Sequence, residues 1–181
     1  MQFTVLTIDK LQTLIDINSR MHTNYSDVGV LIKYIFELAM RLVGCEAFSL
    51  ALVHKGETAL RLMMMLGLDN IETAGVSVVM NSIGGKVVKD NKPLIINDIA
   101  SDLWIDNGGE RRRGSVVRTM AAVPLCMRRQ CIGVIVLVND GERGFTQDYL
   151  EILLLFAEHA AVAYTNADRY RFVNDEFFFT A

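Results

Sequence analysis

The chain has 181 residues, 51% of them hydrophobic, enough for one well-filled core, and only two prolines, so no proline-rich linker divides it. A formal net charge of −3 supplies neither the basic footprint of a nucleic-acid binder nor a polybasic membrane anchor. Three cysteines without C-x-x-C spacing argue against a disulfide framework or a zinc knuckle, so reduced thiols and a cytoplasmic location are expected.

The opening MQFTVLTIDK lacks the basic start and apolar run of a secretion signal. Ile8, Leu11, Leu14, Ile15 and Met21 then place a thin apolar stripe on a helix over about 9–22, as in a coiled-coil seam. Ser26 or Asp27 can cap a second helix carrying Leu31, Ile35, Leu38, Ala39 and Leu42, which Gly44 ends. Strands are expected at 48–54 and 60–66, joined as a hairpin across 55–58, with a short strand at 76–79. Ser82 is a candidate cap for a brief helix to Asp90. Asn91 can take the left-handed conformation that stops it, and Pro93 prevents its resumption. A short strand at 94–96 leads into a long irregular stretch, 98–114, that holds Gly108, Gly109 and the lone Trp104.

A second hairpin spans about 119–139. Its turn is read as Arg128-Arg129, although neither arginine favours positive φ. Thr146 can cap a long helix to about Tyr170, with Tyr149, Leu150, Leu153, Phe156, Ala157, Ala160 and Tyr164 packing on the sheet. Its segment 149–164 is interrupted by Glu151, Glu158 and His159 and falls short of a membrane span. Ile152, Leu154, Leu155 and Val162 point elsewhere, so the helix needs a second cover, and another copy of itself is the simplest one. The element order implies an α+β fold with a mostly antiparallel sheet and helical layers.

The stretch SIGGKVVKDNKPLIIND, residues 82–98, resembles the signature of the GAF domain family. So do VRTMAAVPLC, residues 117–126, the run Ile132-Gly133-Val134-Ile135, and Phe145 before the last helix. The likeness covers roughly 27–168. It implies a GAF-like six-stranded sheet with helices on both faces, the terminal helices on one and a small-ligand pocket on the other. It further implies a sensory or regulatory role and dimerisation through the terminal helices. The chain accordingly divides into a signalling and dimerisation helix over 1–25, a GAF domain over 26–170, and an extension over 171–181 leading to an output domain. The ending EFFFTA fits an internal stretch of a longer polypeptide, since three exposed phenylalanines would form an apolar patch.

Two departures narrow the family's functions. The Asn-Lys-x-x-Phe-Asp type element of cyclic-nucleotide binders is broken, because Asp140 follows Asn139 and Thr146 follows Phe145. The free-methionine sulfoxide reductases of the family need a cysteine before the Val-Pro strand, and residues 111–120 hold none.

Arg111 and Arg113, in the loop expected over the pocket, could hold a ligand carboxylate or phosphate; the alternative is a solvated charge run. Trp104 is either a lid on a ring system or a loop anchor. Met63 and Met65, taken to share a strand face with Arg61, offer a pliable pocket wall or ordinary core filling. Thr119 and Ala121 complete the candidate ligand set. Cys126 and Cys131 stand opposite one another if the turn is Arg128-Arg129, with β-carbons about 4.5–5.5 Å apart, near the best disulfide span. Neighbouring arginines favour the thiolate, so a redox pair competes with two small buried residues. His22, His54 and His159 show no metal spacing, no catalytic motif occurs, and no cofactor is required by any pattern. The expected function is a homodimeric, ligand-sensing regulatory module and not an enzyme. Alternatives are a ligand-free dimerisation module and, last, a sulfoxide reductase.

Overall fold

The computed structural model describes residues 33, 36, 37, 39–41, 43–53, 59–67, 77–99, 117–128, 130–141 and 143–178. The first expected helix therefore lies outside the described residues. The described residues between 33 and 43 are helical, and Gly44 follows them with φ 69°.

Two hairpins meet side by side. β1 (Ala47–Val53) pairs with β2 (Ala59–Gly67), which carries the short β3 (Ser77–Val79) at its outer edge. β5 (Thr119–Met127) pairs with β6 (Gln130–Asn139), and β4 (Leu94–Ile96) borders β5. The antiparallel β1–β6 pairing joins the two halves, giving one six-stranded sheet in the order β3-β2-β1-β6-β5-β4. The turn falls where the hydrophobic pattern puts it: Met127 pairs with Gln130, and Arg128 takes φ 47°. Strand register thus overrides the local reluctance of arginine.

The short helix α1 (Ile83–Asp90) begins and ends as its flanking residues dictate. Ser82 Oγ accepts the Gly85 N–H at 3.1 Å. Asn91, left-handed at φ 49° and ψ 43°, donates its backbone N–H to the Val87 carbonyl. The long helix α2 (Gln147–Phe178) starts at Thr146, whose carbonyl accepts the Leu150 N–H at 3.1 Å. It runs past the expected end near 170, since no glycine or proline interrupts 165–178.

Alternation along the strands sends side chains to two separate cores. On one face, Phe36, Phe48, Leu50, Val123 and Leu137 pack with Leu150, Leu153 and Phe156 of α2. The rings of Phe36 and Phe48 stack with centroids 3.6 Å apart. Ile152, expected to need outside cover, is buried in this same core, whereas Leu155 and Val162 stay 41% and 44% exposed. On the other face, α1 covers a smaller aliphatic cluster of Ala51, Leu60, Leu62, Ile83, Val87, Met120, Ala122 and Val134. No helix among the described residues is long and apolar enough to cross a membrane.

Candidate functional site

The α1 face is shaped by close approach. A Cβ on Gly84 would sit 3.1 Å from Val134 Cγ1, so this glycine eases the approach of α1 to the sheet, while one on Gly85 would strike the Met80 backbone in the turn that leads into α1. Beneath it the cluster contains aliphatic side chains, alanine and methionine, with no aromatic ring among the described residues.

The expected methionine wall is rearranged by a bulge. Leu50 pairs with Met64 and Ala51 with Leu62, which leaves Met63 as an extra residue in β2. The bulge inverts the alternation: Met65 packs on the α1 side, whereas Arg61 pairs with Leu52, whose side chain belongs to the α2-side core. Met63, Met65 and Arg61 therefore do not form one wall, and Met63 is 42% exposed.

Thr119 and Ala121 share strand parity, and Ala121 packs in the α2-side core, while its neighbours Met120 and Ala122 face α1. Thr119 is 2% exposed, and its hydroxyl donates to the Arg143 carbonyl at 2.9 Å. Trp104, Arg111 and Arg113 lie outside the described residues. Of the candidate ligand residues, the structure brings Met65 alone to the α1 face among those described.

A polar clamp that sequence reasoning missed fixes the start of α2. Asn139 donates its side-chain amide to the same Arg143 carbonyl at 3.0 Å and accepts the Glu46 N–H at 3.0 Å. Asn97 grips Phe145 from both sides, accepting its N–H at 2.8 Å and donating to its carbonyl at 3.0 Å. Phe145 is thereby driven into the α2-side core. The partners are 48 residues apart, so the sequence carries no local sign of them.

Cys126 and Cys131 are directly paired across the hairpin and disulfide-bonded, with Cα atoms 4.0 Å apart. The cysteine count pointed away from a disulfide; register, not spacing, brings these two together. Both are half-buried, between the turn and a second bulge that leaves Ile132 unpaired. Asn91 Oδ1 lies 3.0 Å from Cys126 Sγ and 3.1 Å from Cys131 Sγ. Cys45 is the free cysteine among the described residues, and burial pushes its thiol up to about 12. No group of three or more potential metal ligands occurs among the described residues.

The family model for the GAF domain matches residues 27–164, more than half of the chain. No curated protein matches the sequence. Solved structures share the fold at low identity. The GAF domain of an Acinetobacter phosphoenolpyruvate-protein phosphotransferase is 17% identical, with 91% of this chain and 97% of that one covered and a TM-score of 0.77. A segment of a methyl-accepting chemotaxis protein is 20% identical, with 85% and 98% covered and a TM-score of 0.71. A free methionine-R-sulfoxide reductase from Neisseria meningitidis, solved with its substrate, is 15% identical, with 94% and 98% covered and a TM-score of 0.73.

Proposed function

The chain belongs to the GAF domain family, and from that premise we propose that it is a cytoplasmic sensory module. It takes a small ligand against the α1 face of the sheet and relays binding through paired α2 helices to an output domain. The observation that carries this reading is the unequal filling of the two faces. Aromatic rings fill the α2 side, while the α1 side is built from small and aliphatic residues under a helix with two glycines in its first turn. Arg111, Arg113 and Trp104 are proposed to complete the site, the arginines for a carboxylate or phosphate and the indole for a ring. Met65 offers an adaptable wall.

The relay rests on Leu155 and Val162, which stand seven residues apart and exposed on α2, the spacing that a second helix covers. Ligand can shift a helix pair between arrangements only by binding them with different affinity. Native mass spectrometry of the protein as purified, with thermal-shift measurements against nucleotides, amino acids and organic phosphates, tests the proposal. A retained mass or a raised melting temperature for one class is expected.

A uniformly flat response would favour the second reading, a ligand-free dimerisation module. Its support is that Leu60, Leu62, Ile83 and Val87 already bury themselves against one another. Sulfoxide reduction is disfavoured because residues 111–120 lack cysteine and the bonded pair sits at the far hairpin tip. Turnover of free methionine sulfoxide with thioredoxin as reductant would reverse that assignment.

A further inference from the structure

The disulfide abuts the residue that terminates α1. Cys126 and Cys131 project on the α1 side of the β5–β6 hairpin, and both sulfurs converge on Asn91 Oδ1 at 3.0 and 3.1 Å. Asn91 is also the left-handed cap of α1, and its N–H closes the last turn on the Val87 carbonyl. The Lys92 N–H reaches the same carbonyl at 3.4 Å. Val87, Ile83 and Gly84 hold α1 against β5 and β6. One side chain thus joins a sulfur pair to a helix on the face assigned to ligand.

We propose that Cys126 and Cys131 form a reversible dithiol–disulfide switch whose state is read by Asn91 and passed to the C-terminal turn of α1. In the disulfide form, the one in this structure, the joined sulfurs present a single compact surface to the Asn91 carbonyl, and the Asn91 cap is closed on the Val87 carbonyl. Reduction breaks the S–S bond, gives each sulfur a hydrogen and parts the two to van der Waals separation. One carbonyl oxygen then no longer meets both sulfurs, so the amide turns to accept one S–H and the cap it belongs to loosens. The register favours an intramolecular bond, because the two residues are directly opposed beside the tight turn and remain half-exposed to a soluble oxidant.

Hydrogen peroxide balances the chemistry. One thiolate attacks a peroxide oxygen, the O–O bond breaks, and a sulfenic acid forms as hydroxide leaves and is protonated to water. The second thiol attacks the sulfenic sulfur, the S–S bond forms and a second water departs, so two thiols lose two electrons and two protons in all. An external dithiol reverses the step by exchange, becoming a disulfide itself.

The test uses the full chain, alkylated and weighed after peroxide and again after dithiothreitol, with amide hydrogen exchange followed in both forms. Counted by alkylation in denaturant, free thiols should fall from three to one and return to three, the half-buried Cys45 remaining because its thiol stays protonated in the folded chain. Amides of Val87–Lys92 should exchange at least about threefold faster in the dithiol form. Asn91→Gly keeps the left-handed cap and removes the amide oxygen, so it should still form the disulfide yet lose that difference. Cys126→Ser should abolish both responses. A thiol count fixed at three, equal α1 exchange in the two forms, or an Asn91→Gly response equal to wild type would each overturn the switch. None of these readouts involves the ligand, so their failure is distinct from failure of the sensory reading.

Discussion

The two faces of the sheet are built from the same strands yet differ in what fills them. On the α2 side, Phe36, Phe48, Phe145 and Phe156 interlock with aliphatic residues of β1, β5 and β6. On the α1 side, an eight-residue helix with Gly84 and Gly85 in its first turn covers aliphatic residues, with no ring among those described. The contrast teaches that the two faces carry unequal shares of the core, and the proposed recognition falls to the smaller one. A large, closed core can hold the fold while the smaller face remains free to respond.

The largest expected effect lies in the closed core. Phe156→Ala should cost about 3–5 kcal/mol in urea denaturation, because it removes a fully buried ring from under α2. Met65→Ala, half-buried on the α1 side, should cost about 1 kcal/mol; an inverted ranking would break the contrast. Next in size is Gly85→Ala, at about 1–3 kcal/mol, since the new methyl meets the Met80 backbone and pushes the first turn of α1 away from the turn that precedes it. Ser82→Ala should cost about 1 kcal/mol by leaving the Gly85 N–H without its cap.

These outcomes also mark what could be read from the residues themselves. Ser82 and Asn91 were legible because a cap is a local event, set by a side-chain oxygen or by tolerance of positive φ. The Arg128-Arg129 turn was legible only through the strands it joins, since arginine does not ask for φ 47°. The bulges at Met63 and Ile132 were not. A bulge adds one residue without a characteristic side chain and reverses alternation beyond it, which is why the proposed Met63–Met65–Arg61 wall dissolved. Gly133 could have hinted at the second, because a Cβ there would collide with the Ala51 carbonyl. Thr119 and Ala121 lie on the α2-facing parity, and the Asn97–Phe145 clamp depends on a contact across 48 residues. Such contacts are fixed by packing rather than by local preference.

The smallest effect belongs to the open surface of α1. Lys86 Nζ meets Asp90 Oδ2 at 2.9 Å one helical turn on, and that hydrogen bond, ahead of the other contributions, holds the Asp90 carboxyl below its ordinary 3.8. A depressed folded value means the pair contributes above pH 3.8 and its contribution is lost as pH falls through the folded value. Carboxyl NMR titration should show Asp90 titrating low in wild type and moving up in Lys86→Ala.

The central claim is that the α2 face holds the fold and then, on its outer side, recruits a second copy to carry the signal. Sedimentation equilibrium of the wild-type chain beside Leu155→Lys/Val162→Lys tests it most directly. The account predicts twice the chain mass for the wild type, and a folded monomer for the double variant with stability within about 0.5 kcal/mol per exposed site once dimerisation is accounted for. A wild-type chain that sediments as a monomer at high micromolar concentration, or a double variant that remains dimeric, would contradict it.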